Sequence, residues 1–94
     1  MNDVPALVAA LRALHRVDAR HIRTDHVRDA DKGQLFWEGN VEVFQVEHRR
    51  AQTAFGWSVA TGQGKERVLV VLAIAPLFSA LDAVRAAQAV RRQD

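Results

Sequence analysis

Apolar positions recur along the first segment with helical spacing. Val4, Leu7, Val8, Leu11 and Leu14 fall at i, i+3, i+4 and i+7, which draws one apolar stripe down the side of a helix. Asn2 or Asp3 can cap that helix, Pro5 is tolerated in its first turn, and the pattern predicts an end near Val17. From residue 18 to 33 the apolar positions thin out. Ile22 and Val27 fit neither the helical nor the strand period, so the stretch predicts a short, irregular or edge strand over 21–28, followed by a turn. Asp29-Ala30-Asp31-Lys32-Gly33 has turn composition, with Gly33 free to take a positive φ.

A strict alternation follows. Leu35, Trp37, Val41 and Val43 take one phase, while Glu38, Asn40 and Glu42 take the other, as in a half-buried strand over 35–46. The phase then breaks, because Phe44 and Val46 are apolar and Gln45 and Glu47 are polar. A slip of one residue moves every side chain to the opposite face. The break predicts a β-bulge or strong bend near Val43-Phe44, or a passage there from one packing environment to another. Thr53, Phe55, Trp57, Val59 and Thr61 alternate with the small Ala54, Gly56, Ser58 and Ala60 in a further strand over 53–61. Gly62-Gln63-Gly64-Lys65 is a turn. Val68 to Ala75 is apolar in both phases, which fits a central strand covered on both faces, and Pro76 stops it. Ser79-Ala80-Leu81-Asp82 resembles a capping box, with Asp82 in the acidic place, for a helix running to about Arg92. Its apolar side, Ala80, Ala83, Val84, Ala87 and Val90, is mostly alanine, and Arg91-Arg92 suit the negative end of its dipole.

These elements predict one α+β domain over residues 1–94. It comprises an N-terminal helix, a three- to four-stranded antiparallel meander sheet and a C-terminal helix, with both helices on one sheet face. That arrangement leaves an apolar face over. If the helices bury Val68, Val70, Leu72 and Ile74, then Leu69, Val71, Ala73 and Ala75 need another cover. A homodimer built sheet to sheet or edge to edge supplies it most simply. Otherwise the first segment and residues 18–33 must wrap the far face.

Composition narrows the class. The chain is 49% hydrophobic and 26% charged, ordinary for a globular domain. At 94 residues it buries only about 60–65% of its unfolded surface, enough for one modest core. The absence of cysteine excludes a disulfide framework, a thiolate metal site and a cysteine nucleophile, and it fits a reducing cytoplasm. The N-terminal run lacks a basic start and meets charges too early for a signal peptide, and no apolar run is long enough to span a bilayer. A cytoplasmic location is therefore expected. The pI of 9.9 overstates the charge. Thirteen Lys and Arg face 11 Asp and Glu, spread along the whole chain, for a net +2. Nucleic-acid binders concentrate their positive charge instead. Arginine far outnumbers lysine and alanine is abundant, which suggests a GC-rich bacterial genome.

Candidate chemistry is sparse. His21 and His26 flank Asp25, with His15 upstream, but a spacing of five matches neither a helix face nor a strand face, so surface histidines are favoured over a metal site. Asp29-x-Asp31-x-Gly33 lacks the closing glutamate of a calcium loop and reads as a polar turn. Glu38 and Glu42 share a strand face but sit about 13 Å apart, too far for a cooperating acid pair. Gly62-Gln63-Gly64-Lys65 lacks P-loop spacing and joins strand to strand. His48 holds the most interest. It follows the phase break beside Glu47, Arg49 and Arg50, and with Trp37 and Trp57 it is a candidate to line a ligand pocket. Trp37, Phe55 and Trp57 could stack bases, but they occupy the apolar phase of their strands and are expected in the core.

Trp37-Glu38-Gly39-x-Val41-Glu42-Val43-Phe44, then His48, Ala51 and Trp57, resembles a pattern found in small uncharacterised bacterial proteins. The likeness spans roughly residues 35–90, including the Ala83–Ala87 helix segment. Those proteins have proline after the histidine, where this chain has Arg49, and tyrosine two residues before the second tryptophan, where it has Phe55. The resemblance implies a shared fold and carries no activity, cofactor or functional residue. The expectation is thus a small binding or interaction protein, homodimeric through its sheet and more plausibly non-enzymatic, with no cofactor or metal and an unidentified protein or small-molecule partner. Its rivals are a small-molecule-binding protein or enzyme with a pocket near Trp37, His48 and Trp57, and a weak nucleic-acid binder.

Overall fold

The computed structural model describes residues 4–60, 66–74, 77 and 79–92. The Asn2/Asp3 cap, the Gly62–Lys65 turn, Pro76 and the side chains of Val90, Arg91 and Arg92 lie outside the described residues.

The order of elements is α1 (Val4–His15), β1 (Ala19–Asp31), β2 (Gln34–His48), β3 (Ala51–Ala60), β4 (Glu66–Leu72) and α2 (Ala80–Arg92). The strands form one antiparallel meander in the order β1-β2-β3-β4, so the α+β class and its two terminal helices agree with the sequence reading. Helix α1 stops where Arg16 takes a φ of 56°. The Arg16 N–H still reaches the Arg12 carbonyl at 3.0 Å, a left-handed cap made without glycine. Leu7 and Leu11 are fully buried, but Leu14, the last residue of the predicted stripe, is 70% exposed. The turn at Arg16 brings Val17 into the core instead. At the other end of the chain, the Ser79 hydroxyl accepts the Asp82 N–H at 3.1 Å and caps α2 as expected.

Strand β1 is longer than predicted. It is an edge strand that continues through Asp31, so the turn shrinks to Lys32-Gly33, both at positive φ, as in a two-residue type I′ hairpin.

One expectation is corrected. The helices lie on opposite sheet faces, not on one. Leu7 and Leu11 of α1 pack with Phe44, Val46, Ala54 and Leu72, beside Val68 and Val70. Ala80, Ala83 and Val84 of α2 pack with Val41, Val43, Phe55 and Trp57, beside Leu69 and Val71. Adjacent residues of each strand therefore serve two cores, and each apolar set of β4 has its own helix. The surplus face that called for a sheet-to-sheet partner does not exist.

The phase break has the same origin. Val41 and Val43 face α2, while Phe44 and Val46 face α1. A bulge is present as well, but on the partner strand. His21 pairs with Phe44 and Arg23 with Val43, which leaves Ile22 as the extra residue opposite the break.

Strand β4 is apolar in both phases, as read from the sequence, but it is an edge rather than a central strand. Its pairing with β3 runs without a register shift from Ala60–Glu66 to Ala54–Leu72. The Ala73 N–H donates to the Thr53 carbonyl at 2.8 Å. Antiparallel alternation then turns the main-chain groups of Val68 and Val70 outward, away from β3, with the Leu72 N–H, while the Leu72 carbonyl accepts the Ile74 N–H at 2.9 Å. Among the described residues no strand pairs with that edge.

Candidate functional site

The three residues singled out from the sequence do not converge. Trp37 and Trp57 meet, with ring centroids 6.4 Å apart and planes inclined by 58°. Trp57 is 2% exposed and belongs to the α2 core, and Trp37 packs against that core from β2. The Trp37 ring also lies over Gly39, where an added Cβ would sit 2.8 Å from its Cζ2. His48 is eleven residues further along the same strand, about 36 Å away at strand rise. The tryptophan pair is a packing element, and Phe55, 3% exposed, is likewise core. No aromatic platform for bases is presented by Phe55 or Trp57.

His48 instead borders a concavity of about 590 Å³ at the β2–β3 turn. Three local features build it. The β1 bulge presents both Ile22 and Arg23 to the α2 side of the sheet, where they line the concavity with Val43. The β2–β3 turn places Arg49 and Arg50 at the rim. Phe55 and Ala73 continue the apolar floor, with Leu77 as a wall. The backbone N–H of Arg50 donates to His48 Nδ1 at 3.1 Å. That bond holds His48 in the tautomer whose Nε2 carries the proton, so its outer nitrogen is a donor. A second concavity, also bordered by His48, includes Glu47 and Gln52. Neither includes a tryptophan.

The other cluster of titratable groups lies on the open face of the β1–β2 hairpin. The single bulge residue changes the count, so His21 and His26 share a face despite their odd spacing, while Asp25 turns away to pair with Arg23 at 3.0 Å. His21 Nε2 bonds Glu42 at 2.8 Å, and the Thr24 hydroxyl donates to the same carboxylate oxygen. His26 bonds Glu38 through Nε2 at 2.9 Å and the Asn40 oxygen through Nδ1 at 3.2 Å. With an acceptor at each ring nitrogen, the imidazolium is favoured. The Glu38 bond first and the Asn40 bond second raise the His26 pKa above 6.5, and the same His26 bond lowers Glu38 below 4.5. No group of three or more metal-ligating side chains among the described residues is arranged to hold an ion. Nothing in the local sequence signals this juxtaposition, because a bulge leaves no compositional mark.

No protein-family model, curated protein or solved structure matches the chain. Among the described residues, no helix is long and apolar enough to cross a membrane.

Proposed function

We propose that the protein acts by binding rather than catalysis, and that it works as a homodimer joined edge to edge through β4. One contrast carries this reading: the two edges of the sheet are treated differently. The β1 edge is interrupted by the Ile22 bulge and carries Arg20, Arg23, Asp25 and Arg28, the devices that discourage strand addition. The β4 edge is seven residues long, in regular register and apolar from Val68 to Leu72. Val68 and Val70 turn their main-chain donors and acceptors outward, and Leu72 its N–H, while its carbonyl accepts the Ile74 N–H. A two-fold axis through that edge sets the strand antiparallel to its own copy, so the pairing is self-complementary. The role of the dimer is to bind a protein or small-molecule partner. Binding is favoured over chemistry because the His26–Glu38 pair sits on a strand face open to water, where no wall strengthens a proton transfer.

Light scattering at tens of micromolar tests the dimer. The expected mass is twice the 10.5 kDa of one chain. Val70→Pro removes an outward N–H that β3 does not use, and it is expected to return the mass to a single chain with the far-UV spectrum retained. A wild-type mass of one chain would sink the reading.

A further inference from the structure

The concavity at the β2–β3 turn has a charge distribution that its apolar floor does not explain. Its rim carries Arg23, Arg49 and Arg50, together with His48, and none of its described lining residues is acidic. Arg23 has a partner in Asp25 at 3.0 Å. Arg49 and Arg50 have no ion pair among the described residues, and both are exposed at the turn. Glu47, the adjacent acid, borders only the second concavity, which shares His48, Arg49 and Gln52 with this one. Like charges held together at a tight turn repel, and no ion pair among the described residues offsets that repulsion. Below them, Ala73 and Leu77 present part-exposed apolar surface, Ile22 is 48% exposed opposite, and Val43 and Phe55 are buried behind them. A volume of about 590 Å³ is in the usual range for small-molecule sites.

We propose that this concavity binds a small amphipathic organic anion, a carboxylate or phosphate ester on an apolar body. The apolar body lies on the part-exposed Ala73 and Leu77, facing Ile22. The anionic group sits at the rim between the Arg49 and Arg50 guanidiniums, whose planar donor forks match carboxylate and phosphate oxygens. The His48 Nε2–H is a further donor, aimed by the Arg50 N–H that occupies its Nδ1. The bulge at Ile22 supplies the remaining wall, which gives that interruption of β1 a purpose beyond guarding the edge. The site does not depend on β4 pairing. A monomeric protein that binds the anion, or a dimer that does not, separates this inference from the proposal above.

The test uses a matched pair of fluorescent probes, anilinonaphthalene sulfonate and its uncharged parent phenylnaphthylamine. The wild-type protein is expected to bind the sulfonate saturably with one site per chain, and the parent at least about tenfold more weakly, because the charge-assisted bonds are lost. Arg49→Glu/Arg50→Glu, at exposed positions whose side chains have no ion pair among the described residues, is expected to keep the wild-type melting temperature and to lose sulfonate binding by about tenfold or more. Arg49→Lys/Arg50→Lys should retain most of it. Octanoate or octyl phosphate is expected to displace the probe, and the stronger competitor identifies the head group. Equal binding of the two probes, unchanged binding by the glutamate variant, or equal displacement by octyltrimethylammonium would overturn the proposal.

Discussion

The opposed placement of the helices makes Gly56 a decisive position. It lies on β3 beneath α1, where an added Cβ would meet Leu7 at 3.0 Å to Cδ2, 3.2 Å to Cδ1 and 3.3 Å to Cγ. Leu7 is 0% exposed and hemmed in by its core, so it cannot swing aside. Overpacking of this kind costs about 1–3 kcal/mol. Replacing a strand glycine by alanine returns about 0.5–1 kcal/mol in chain entropy. Gly56→Ala is therefore expected to destabilise by roughly 0.5–2 kcal/mol. Leu7→Ala alone should cost about 2–5 kcal/mol through lost burial and a cavity. In that background the new methyl enters vacated space, and Gly56→Ala should turn neutral or stabilising by about 0.5 kcal/mol. The double-mutant cycle thus predicts a coupling of about 0.5–2.5 kcal/mol. Val84→Ala is the control, since it removes a side chain from the α2 face, and Gly56→Ala should add to it within about 0.5 kcal/mol. Urea unfolding followed by far-UV circular dichroism, with unchanged m-values, reads all of these. Additivity with Leu7→Ala, or strong coupling with Val84→Ala, would refute the placement of α1.

Other consequences are simpler to measure. The His26 ring should titrate above 6.5 by NMR and move back toward that value in Glu38→Gln, because the Glu38 bond is the leading cause of the shift. A raised histidine pKa stabilises the fold below 6.5 and loses that contribution as pH climbs through the folded value, while a lowered Glu38 stabilises above 4.5 and loses it as pH falls. The pair contributes most between those two limits, and a stability profile of Glu38→Gln that diverged from wild type only above that window would contradict the assignment. Ser79→Ala removes the α2 cap and should cost about 1 kcal/mol in urea unfolding, whereas Ser79→Asp should be close to neutral.

The hairpin shows how far the sequence reaches and where it stops. The alternation at Trp37, Val41 and Val43, then the break before Phe44 and Val46, is legible without coordinates, and it does mark a change of packing environment. What the break means depends on α1 and α2. Both phases of β2 are buried there because a helix covers each face, and no property of β2 itself announces that. The compensating bulge sits at Ile22, in a stretch whose apolar residues were too sparse to read. That one residue sets His21 and His26 on a common face and presents Ile22 and Arg23 together at the His48 concavity. The pocket proposed from Trp37, His48 and Trp57 failed to assemble for a related reason: Trp37 and His48 are at opposite ends of one extended strand.

The sequence by itself determined the local objects: the stripe of α1 through Leu11, the positive φ at Gly33, the strand alternations, the Ser79 cap and the burial of Trp57. Each depends on periodicity or on backbone chemistry within a few residues, and those are written into adjacent positions. Only the tertiary structure decided that α1 and α2 cover opposite faces, that β4 is an edge and that Leu14 lies outside the core. Periodicity tells which side chains share a face of their own element. It does not tell which element covers that face, because burial is non-directional and any apolar stripe of the right size satisfies it. The choice is made by connection lengths, the left-handed turn at Arg16 and close approaches such as Leu7 on Gly56, all of which exist only once the chain has folded.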